Sequence, residues 1–180
     1  MFVSTYHNGL DKKGRVSVPA PFRAALREEP GVYCWRSFEG PFLEGGGEQL
    51  MRHYAEALAQ LAPFDPSREA LANAIFGGAF FLAFDQTGRV TLPDELRAHA
   101  RLDDKAVFVG LIERFQIMDP VRYDQRQAAL MARANQDKHL LGSGLQAMLR
   151  TGFGVGSPTS ASGEAKLNAA AEPTKRAGES

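Results

Sequence analysis

The sequence predicts an α+β fold: two tandem β-modules related by a pseudo-two-fold, with flanking helices and a disordered C-terminal tail. Three observations predict it. Asp11-Lys12-Lys13-Gly14-Arg15, with Pro19 and Arg23 beyond it, returns 74 residues later as Asp85-Gln86-Thr87-Gly88-Arg89, with Pro93 and Arg97. Asp, Gly, Arg, Pro and Arg recur in register, which marks a duplication, and a repeat sets the architecture of everything built on it. After each Gly the residues alternate: Val16 and Val18 oppose Arg15 and Ser17, and Val90 and Leu92 oppose Arg89 and Thr91. That period of two is the mark of a half-buried strand. Finally, a unit of about 45 residues seldom holds a core alone, so two copies are expected to share one, each completing the other's sheet.

The elements follow in order. Phe2 to Leu10 reads as the first strand. In Asp-x-x-Gly the Asp bonds its own backbone and the Gly takes positive φ without steric cost, which makes a tight turn. The alternating strand ends at Pro19, which cannot donate to a ladder, and a helix follows through Leu26, its first turn tolerant of Pro. Val32 to Arg36 and Pro41 to Glu44 form a hairpin, and Gly45-Gly46-Gly47 reads as a loop; no Gly-Lys-Ser/Thr follows it, so it is not a phosphate cradle. Leu50, Met51, Tyr54, Leu58 and Leu61 recur at helical spacing up to Ala62. Asp65-Pro66 caps a second helix bearing Leu71 and Ile75. Phe76 to Phe84 opens the second copy. Lys105 to Leu111 and Phe115 to Met118 repeat the hairpin, with Ile112-Glu113-Arg114 at its turn. Asp119-Pro120 caps a last helix whose stripe of Tyr123, Leu130, Met131 and Ala134 suits a core or a subunit interface. The Gly-, Ala-, Ser-, Pro- and Thr-rich stretch from Gly154 to Ser180 cannot bury enough apolar surface to offset its ordering entropy. The expected organisation is therefore repeat 1 over 1–50, linking helices over 51–75, repeat 2 over 76–121, a C-terminal helical segment over 122–150 and a disordered tail over 151–180.

A hydrophobic content of 44% suffices for a core, and 21 basic against 21 acidic residues leave no bulk charge to announce a nucleic-acid partner. The distribution is more informative. Residues 1–27 carry Lys12, Lys13, Arg15, Arg23 and Arg27 against Asp11, a net of +4, whereas residues 76–102 carry three of each sign. A local basic patch on a neutral protein can still bind phosphate. The single cysteine, Cys34, excludes an intrachain disulfide and fits a reducing compartment; in Val32-Tyr33-Cys34-Trp35 it reads as a small core residue. No charged n-region precedes an apolar h-region at the start, and no apolar run approaches the ~20 residues that span a bilayer, so a cytoplasmic protein is expected. His7, His53, His99 and His139 lack ligand spacing, and no metal or cofactor is indicated. Gly142-Ser143-Gly144 lacks the strand-then-elbow context of a hydrolase nucleophile. No catalytic constellation, and no small-molecule substrate, is indicated.

Both copies resemble the Asp-x-x-x-Arg-x-x-x-Pro-x-x-x-Arg signature of the MraZ family, bacterial transcriptional regulators with two AbrB-like domains. Phe2-Val3-Ser4-Thr5-Tyr6, Phe108-Val109-Gly110, Arg114-Phe115 and Ile117 also resemble it, and the match covers roughly residues 1 to 140. The resemblance implies swapped-hairpin AbrB-like modules packed as a pseudo-two-fold β-barrel. It also implies a ring-shaped homo-oligomer, association with the nucleoid, and duplex DNA as partner, at short direct repeats upstream of the protein's own division and cell-wall gene cluster. The alternative is an antitoxin-like interaction module, since AbrB-like folds also serve as antitoxin dimerisation domains.

Arg15 and Arg89 are the expected DNA-reading residues, Arg being the usual bidentate partner of guanine in the major groove. Lys12 and Lys13 suit phosphate contacts. Asp11, Gly14, Asp85 and Gly88 are expected to build the turns. Arg23 and Arg97, one helical turn past the prolines, are expected to be structural and to bridge to the turn aspartates.

Overall fold

The computed structural model describes residues 1–150, with side chains described through Gln146. The tail expected over 151–180 lies outside the described residues. Residues 1–135 form one compact unit, and a second begins at Gln136.

The chain is mixed α and β. Repeat 1 supplies β1 (Thr5–Gly9), β2 (Arg15–Ser17), α1 (Ala20–Ala25), β3 (Gly31–Arg36) and β4 (Leu43–Gly46). Then come α2 (Glu48–Ala59), α3 (Pro66–Ala72) and a π-helical turn over Asn73–Gly77. Repeat 2 supplies β5 (Phe80–Ala83), β6 (Arg89–Thr91), α4 (Asp94–Ala100), β7 (Lys105–Leu111) and β8 (Arg114–Met118), before α5 (Pro120–Arg150).

Six strands form one antiparallel sheet in the order β1-β7-β8-β4-β3-β5, and β2 pairs with β6 in a separate two-stranded ribbon. Within each repeat only the hairpins β3–β4 and β7–β8 pair, and the other pairings cross between repeats. β1 pairs with β7, β5 with β3 and β4 with β8. Neither repeat therefore owns a complete ladder. The six-stranded ladder is open, with β1 and β5 at its edges, so hydrogen bonding does not close a barrel.

The sheet is covered on both faces. Val32, Cys34, Leu82, Phe108, Phe115 and Ile117 face α1, α4 and the ribbon in the main core. On the other face Trp35 packs with Leu50, Met51 and Ile75, while Val107 packs with Phe42 and Met118. A strand buried on two sides reads as a continuous apolar run, which is why Val32 to Trp35 shows no alternation. The ribbon is buried on one side only: Val16 and Val18 are 1% and 2% exposed, Val90 and Leu92 2% and 1%. That matches the alternation in both copies.

Four expectations need correction. The triple glycine is not a loop up to its last residue: Gly45 and Gly46 lie in β4, opposite Cys34 and Tyr33. Their missing side chains make room for neighbours, since a Cβ at Gly45 would lie 2.6 Å from the Phe115 ring. The apolar stretch expected to open the second copy at Phe76 becomes a strand only at Phe80, because α3 runs on through the π turn to bury Ile75 against Trp35. The first strand is interrupted at Ser4, whose φ is +78°, and Phe2 joins the ladder only through an isolated bridge to Ile112. Arg114 is part of β8 rather than of the turn before it. Both Asp-Pro caps form as expected: Asp65 accepts from the Ser67 N–H at 2.8 Å, and Asp119 from the Val121 N–H at 2.9 Å.

Candidate nucleic-acid interface

The two signature turns share one construction. Asp11 Oδ1 accepts from the backbone N–H groups of Lys13 and Arg15, both at 2.9 Å, and Gly14 donates to the Asp11 carbonyl at 2.9 Å. Asp85 Oδ1 likewise accepts from the N–H groups of Thr87 and Arg89, and Gly88 donates to the Asp85 carbonyl. Gly14 and Gly88 sit at φ +76° and +77°, the left-handed region that disfavours a side chain.

Each aspartate also orients its arginine. Arg15 Nε donates to Asp11 Oδ2 at 2.7 Å, and Arg89 Nε to Asp85 Oδ2 at 2.8 Å. These contacts use the inner guanidinium nitrogen, and the side chains stay 39% and 37% exposed. The Asp11 carboxyl is held below its usual 3.8, first by the Arg15 N–H and then by the Arg15 guanidinium, against an opposing desolvation. The Asp85 carboxyl is held lower still, first by the Arg89 N–H and then by the Thr87 hydroxyl, which donates at 2.7 Å. Folded values below the unfolded one mean that both turns contribute stability above about pH 3.8, and that it is lost as pH falls through the folded values. At neutral pH both carboxylates are ionised and both arginines stay anchored.

The ribbon brings the two sites together. Val16 stands opposite Val90, Arg15 opposite Thr91 and Ser17 opposite Arg89. Side chains alternate along a strand, so with the valines buried, Arg15, Ser17, Arg89 and Thr91 share the outward face. Arg15 and Arg89 are diagonal neighbours across the ladder, a relation that spaces residues by about 7–8 Å. Two like charges at that distance repel, and the paired carboxylates offset this. Lys12 and Lys13 are exposed at the first turn; Gln86 and Thr87 hold the matching places in the second. The acids that make repeat 2 neutral are partly engaged by arginines: Asp94 pairs with Arg97 and Glu95 with Arg36 at 3.3 Å.

Arg23 and Arg97 do not bridge to the turn aspartates. Each lies over the turn of the opposite repeat. Arg23 Nη1 reaches the Thr87 carbonyl at 3.4 Å, and a Cβ at Gly88 would overlap its guanidinium. A Cβ at Gly14 would lie 3.0 Å from Arg97 Nε and 2.7 Å from the Leu92 carbonyl. The turns also exchange backbone bonds with the opposite strands: Val18 donates to Gly88 at 3.1 Å and Leu92 to Gly14 at 2.8 Å. Local turn chemistry gives no sign of this crossing.

These contacts separate the two glycines. Gly14→Ala meets the backbone carbonyl of Leu92, a residue whose own N–H is bonded to Gly14, whereas Gly88→Ala meets the far end of a side chain that can swing away. Both carry the left-handed cost, about 1–2 kcal/mol. Gly14→Ala is therefore expected to lower the melting temperature more than Gly88→Ala at equal protomer concentration. Equal shifts would show that the Leu92 carbonyl yields as readily as Arg23.

One polar cluster in the sheet carries no sequence signature. Glu44, 7% exposed, accepts from Gln116 at 2.9 Å across β4 and β8, and Arg114 Nε lies 3.2 Å from its other oxygen. Burial pushes its carboxyl up from the usual value, against the Gln116 hydrogen bond and the Arg114 charge. The cluster lies on the sheet face away from the ribbon. Among the described residues no three His, Cys, Asp or Glu side chains could hold a metal together, and no helix is long and apolar enough to cross a membrane.

The family model described as "MraZ protein, putative antitoxin-like" matches residues 1–40 and 75–143, spans that enclose both signature turns. A protein of Hyphomonas neptunium named transcriptional regulator MraZ is 46% identical over 128 residues, 71% of this chain and 78% of its own length. A protein of the same name from Xanthobacter autotrophicus is 40% identical over 144 residues, 79% of this chain and 92% of its own. Another, from Parvibaculum lavamentivorans, is 41% identical over 158 residues, 86% and 98%. These relatives are named as regulators and not as enzymes. With the doubled signature, the ribbon it builds and these matches over most of its length, the chain belongs to the MraZ family.

Proposed function

We propose that this protein regulates transcription by binding duplex DNA through the β2–β6 ribbon, with Arg15 and Arg89 reading base edges and Lys12 and Lys13 holding phosphates. The observation that carries the reading is the shared outward face of Arg15 and Arg89. A two-stranded ribbon is narrow enough to enter the major groove, and guanidinium groups engaged through Nε can still offer their outer N–H donors to guanine or phosphate. The Asp anchors reduce the side-chain freedom lost on binding. The strand order supports the finer picture of two swapped modules related by a pseudo-two-fold, because exchanging the repeats reproduces the order in reverse. One ribbon covers only a few base pairs, so useful affinity requires several copies acting together. A homo-oligomer, ring-shaped as in the resemblance, acting on short direct repeats upstream of its own gene cluster gains affinity through effective concentration. A cytoplasmic, nucleoid-associated location follows from that reading, as does control by occlusion of the promoter.

The test is a fluorescence-anisotropy titration of the full chain on the DNA upstream of its own gene, across a salt series. Log K is expected to fall by about 0.9 per phosphate contact per log unit of salt. Lys12→Ala and Lys13→Ala should flatten that slope while lowering affinity for all sequences alike. Binding that ignores salt, or absence of binding to any duplex, would overturn the reading and favour an antitoxin-like protein partner instead.

A further inference from the structure

We infer that the two DNA-reading arginines are positioned crosswise: Arg97 of repeat 2 holds the turn that carries Arg15, and Arg23 of repeat 1 holds the turn that carries Arg89. The proposal rests on the DNA-binding reading for its functional consequence, but its geometric content stands separately. Arg97 covers Gly14, and Arg23 covers Gly88 and reaches the Thr87 carbonyl. Nε of both arginines is buried and lacks a hydrogen-bond acceptor. Burying such a donor is costly, so packing against the opposite glycine must offset that cost in both copies. The arrangement also explains a second requirement on each glycine. Positive φ alone would tolerate Asn, but the space where a Cβ would stand is taken or bounded by an arginine from the other repeat.

The two clamps are not equivalent. Arg97 is itself held by Asp94, and its side chain is 25% exposed. Arg23 has one weak polar contact, the 3.4 Å bond to the Thr87 carbonyl. The second turn compensates with the Thr87 hydroxyl on Asp85, which the first turn lacks. The first turn thus depends more on its clamp than the second. Through Arg97, a substitution in repeat 2 reaches the base-reading residue of repeat 1.

Two measurements on the full-length protein test this. Amide hydrogen exchange in Arg97→Met should quicken at Gly14 and Arg15 by roughly 2- to 10-fold, the scale of one lost hydrogen-bond-sized contact, with Gly88 and Arg89 unchanged. Arg23→Met should show the reverse pattern with a smaller change. If Met is not tolerated at either position, Arg97→Lys and Arg23→Lys, which keep charge and stem but lose the planar guanidinium, should show the same crosswise pattern at lower amplitude. The second measurement is a pair of double-mutant cycles on DNA affinity. Arg97→Met should be non-additive with Arg15→Ala and additive with Arg89→Ala, and Arg23→Met the opposite. A purely structural role would couple each clamp equally to both reading arginines. Exchange changes confined to the substituted repeat, or spread evenly over both turns, would overturn the proposal. If exchange is crosswise while Arg15→Ala and Arg89→Ala leave DNA affinity untouched, the positioning stands and the DNA-binding reading falls.

Discussion

Arg15→Ala is expected to cost more DNA affinity than Arg89→Ala, roughly 1–3 kcal/mol for each ribbon that loses a bidentate base contact. The two arginines share a ladder, a face and an Asp anchor, so geometry alone would make them equal. Their surroundings differ. Arg15 has Lys12 and Lys13 beside it on a segment of net +4, whereas Arg89 follows Gln86 and Thr87 on a segment of net zero. Pairing of Glu95 with Arg36 and of Asp94 with Arg97 reduces the local repulsion that the sequence count suggests, but adds no cation. The larger potential therefore remains at the first turn. In an oligomer each loss is multiplied over the subunits touching DNA. Both variants should keep the wild-type circular dichroism spectrum, because the side chains lie on the outward face. Side-by-side titrations on the upstream repeats check this. Binding that survives Arg15→Ala but disappears in Arg89→Ala would sink the charge argument.

The turns and the alternating strands after them were legible in the sequence because their causes are local. Asp11 and Gly14 fix a turn within four residues, and Val16 and Val18 declare a buried face within three. The same holds for Asp85 to Leu92. Partnership was less legible. That β2 pairs with β6 rather than with a strand of its own repeat depends on contacts 74 residues apart, and only the duplication hinted at them. Arg23 and Arg97 meet the opposite repeat's turn for the same reason. A residue's nearest signature in sequence is its own turn, whereas the swap brings the other repeat's turn closer. Gly45 and Gly46 misled because glycine usually weakens a strand; here the Phe115 ring and Leu50 fill the space where side chains would stand. Glu44 left no trace, since a carboxylate in a hairpin reads as exposed until Gln116 and Arg114 are seen to meet it.

Phe22→Ala should cost about 3–5 kcal/mol of stability. Phe22 is fully buried on α1. Its ring meets Phe2 at 5.2 Å and Tyr6 at 5.4 Å from repeat 1, and Phe115 at 5.6 Å and Phe108 at 6.4 Å from repeat 2. Edge-to-face pairs contribute about 0.5–1.5 kcal/mol beyond area burial, so truncation removes several such terms and leaves a cavity between the repeats. Against a typical total of about 5–15 kcal/mol, that is roughly a fifth of the fold's margin at the least. The equivalent residue of the second copy is Leu96, also fully buried but without a ring. Phe22→Leu copies that solution and should cost far less than Phe22→Ala. The effect reaches the interface through Val18 and Pro19, the two residues that join β2 to α1. Loosening α1 releases the buried side of the ribbon, so Phe22→Ala should lose DNA affinity together with stability, whereas Arg15→Ala loses affinity alone. Urea unfolding followed by circular dichroism at fixed protomer concentration, paired with the anisotropy titration, separates the two. An unfolding midpoint for Phe22→Ala equal to that of Phe22→Leu would mean that the aromatic cluster does not join the repeats.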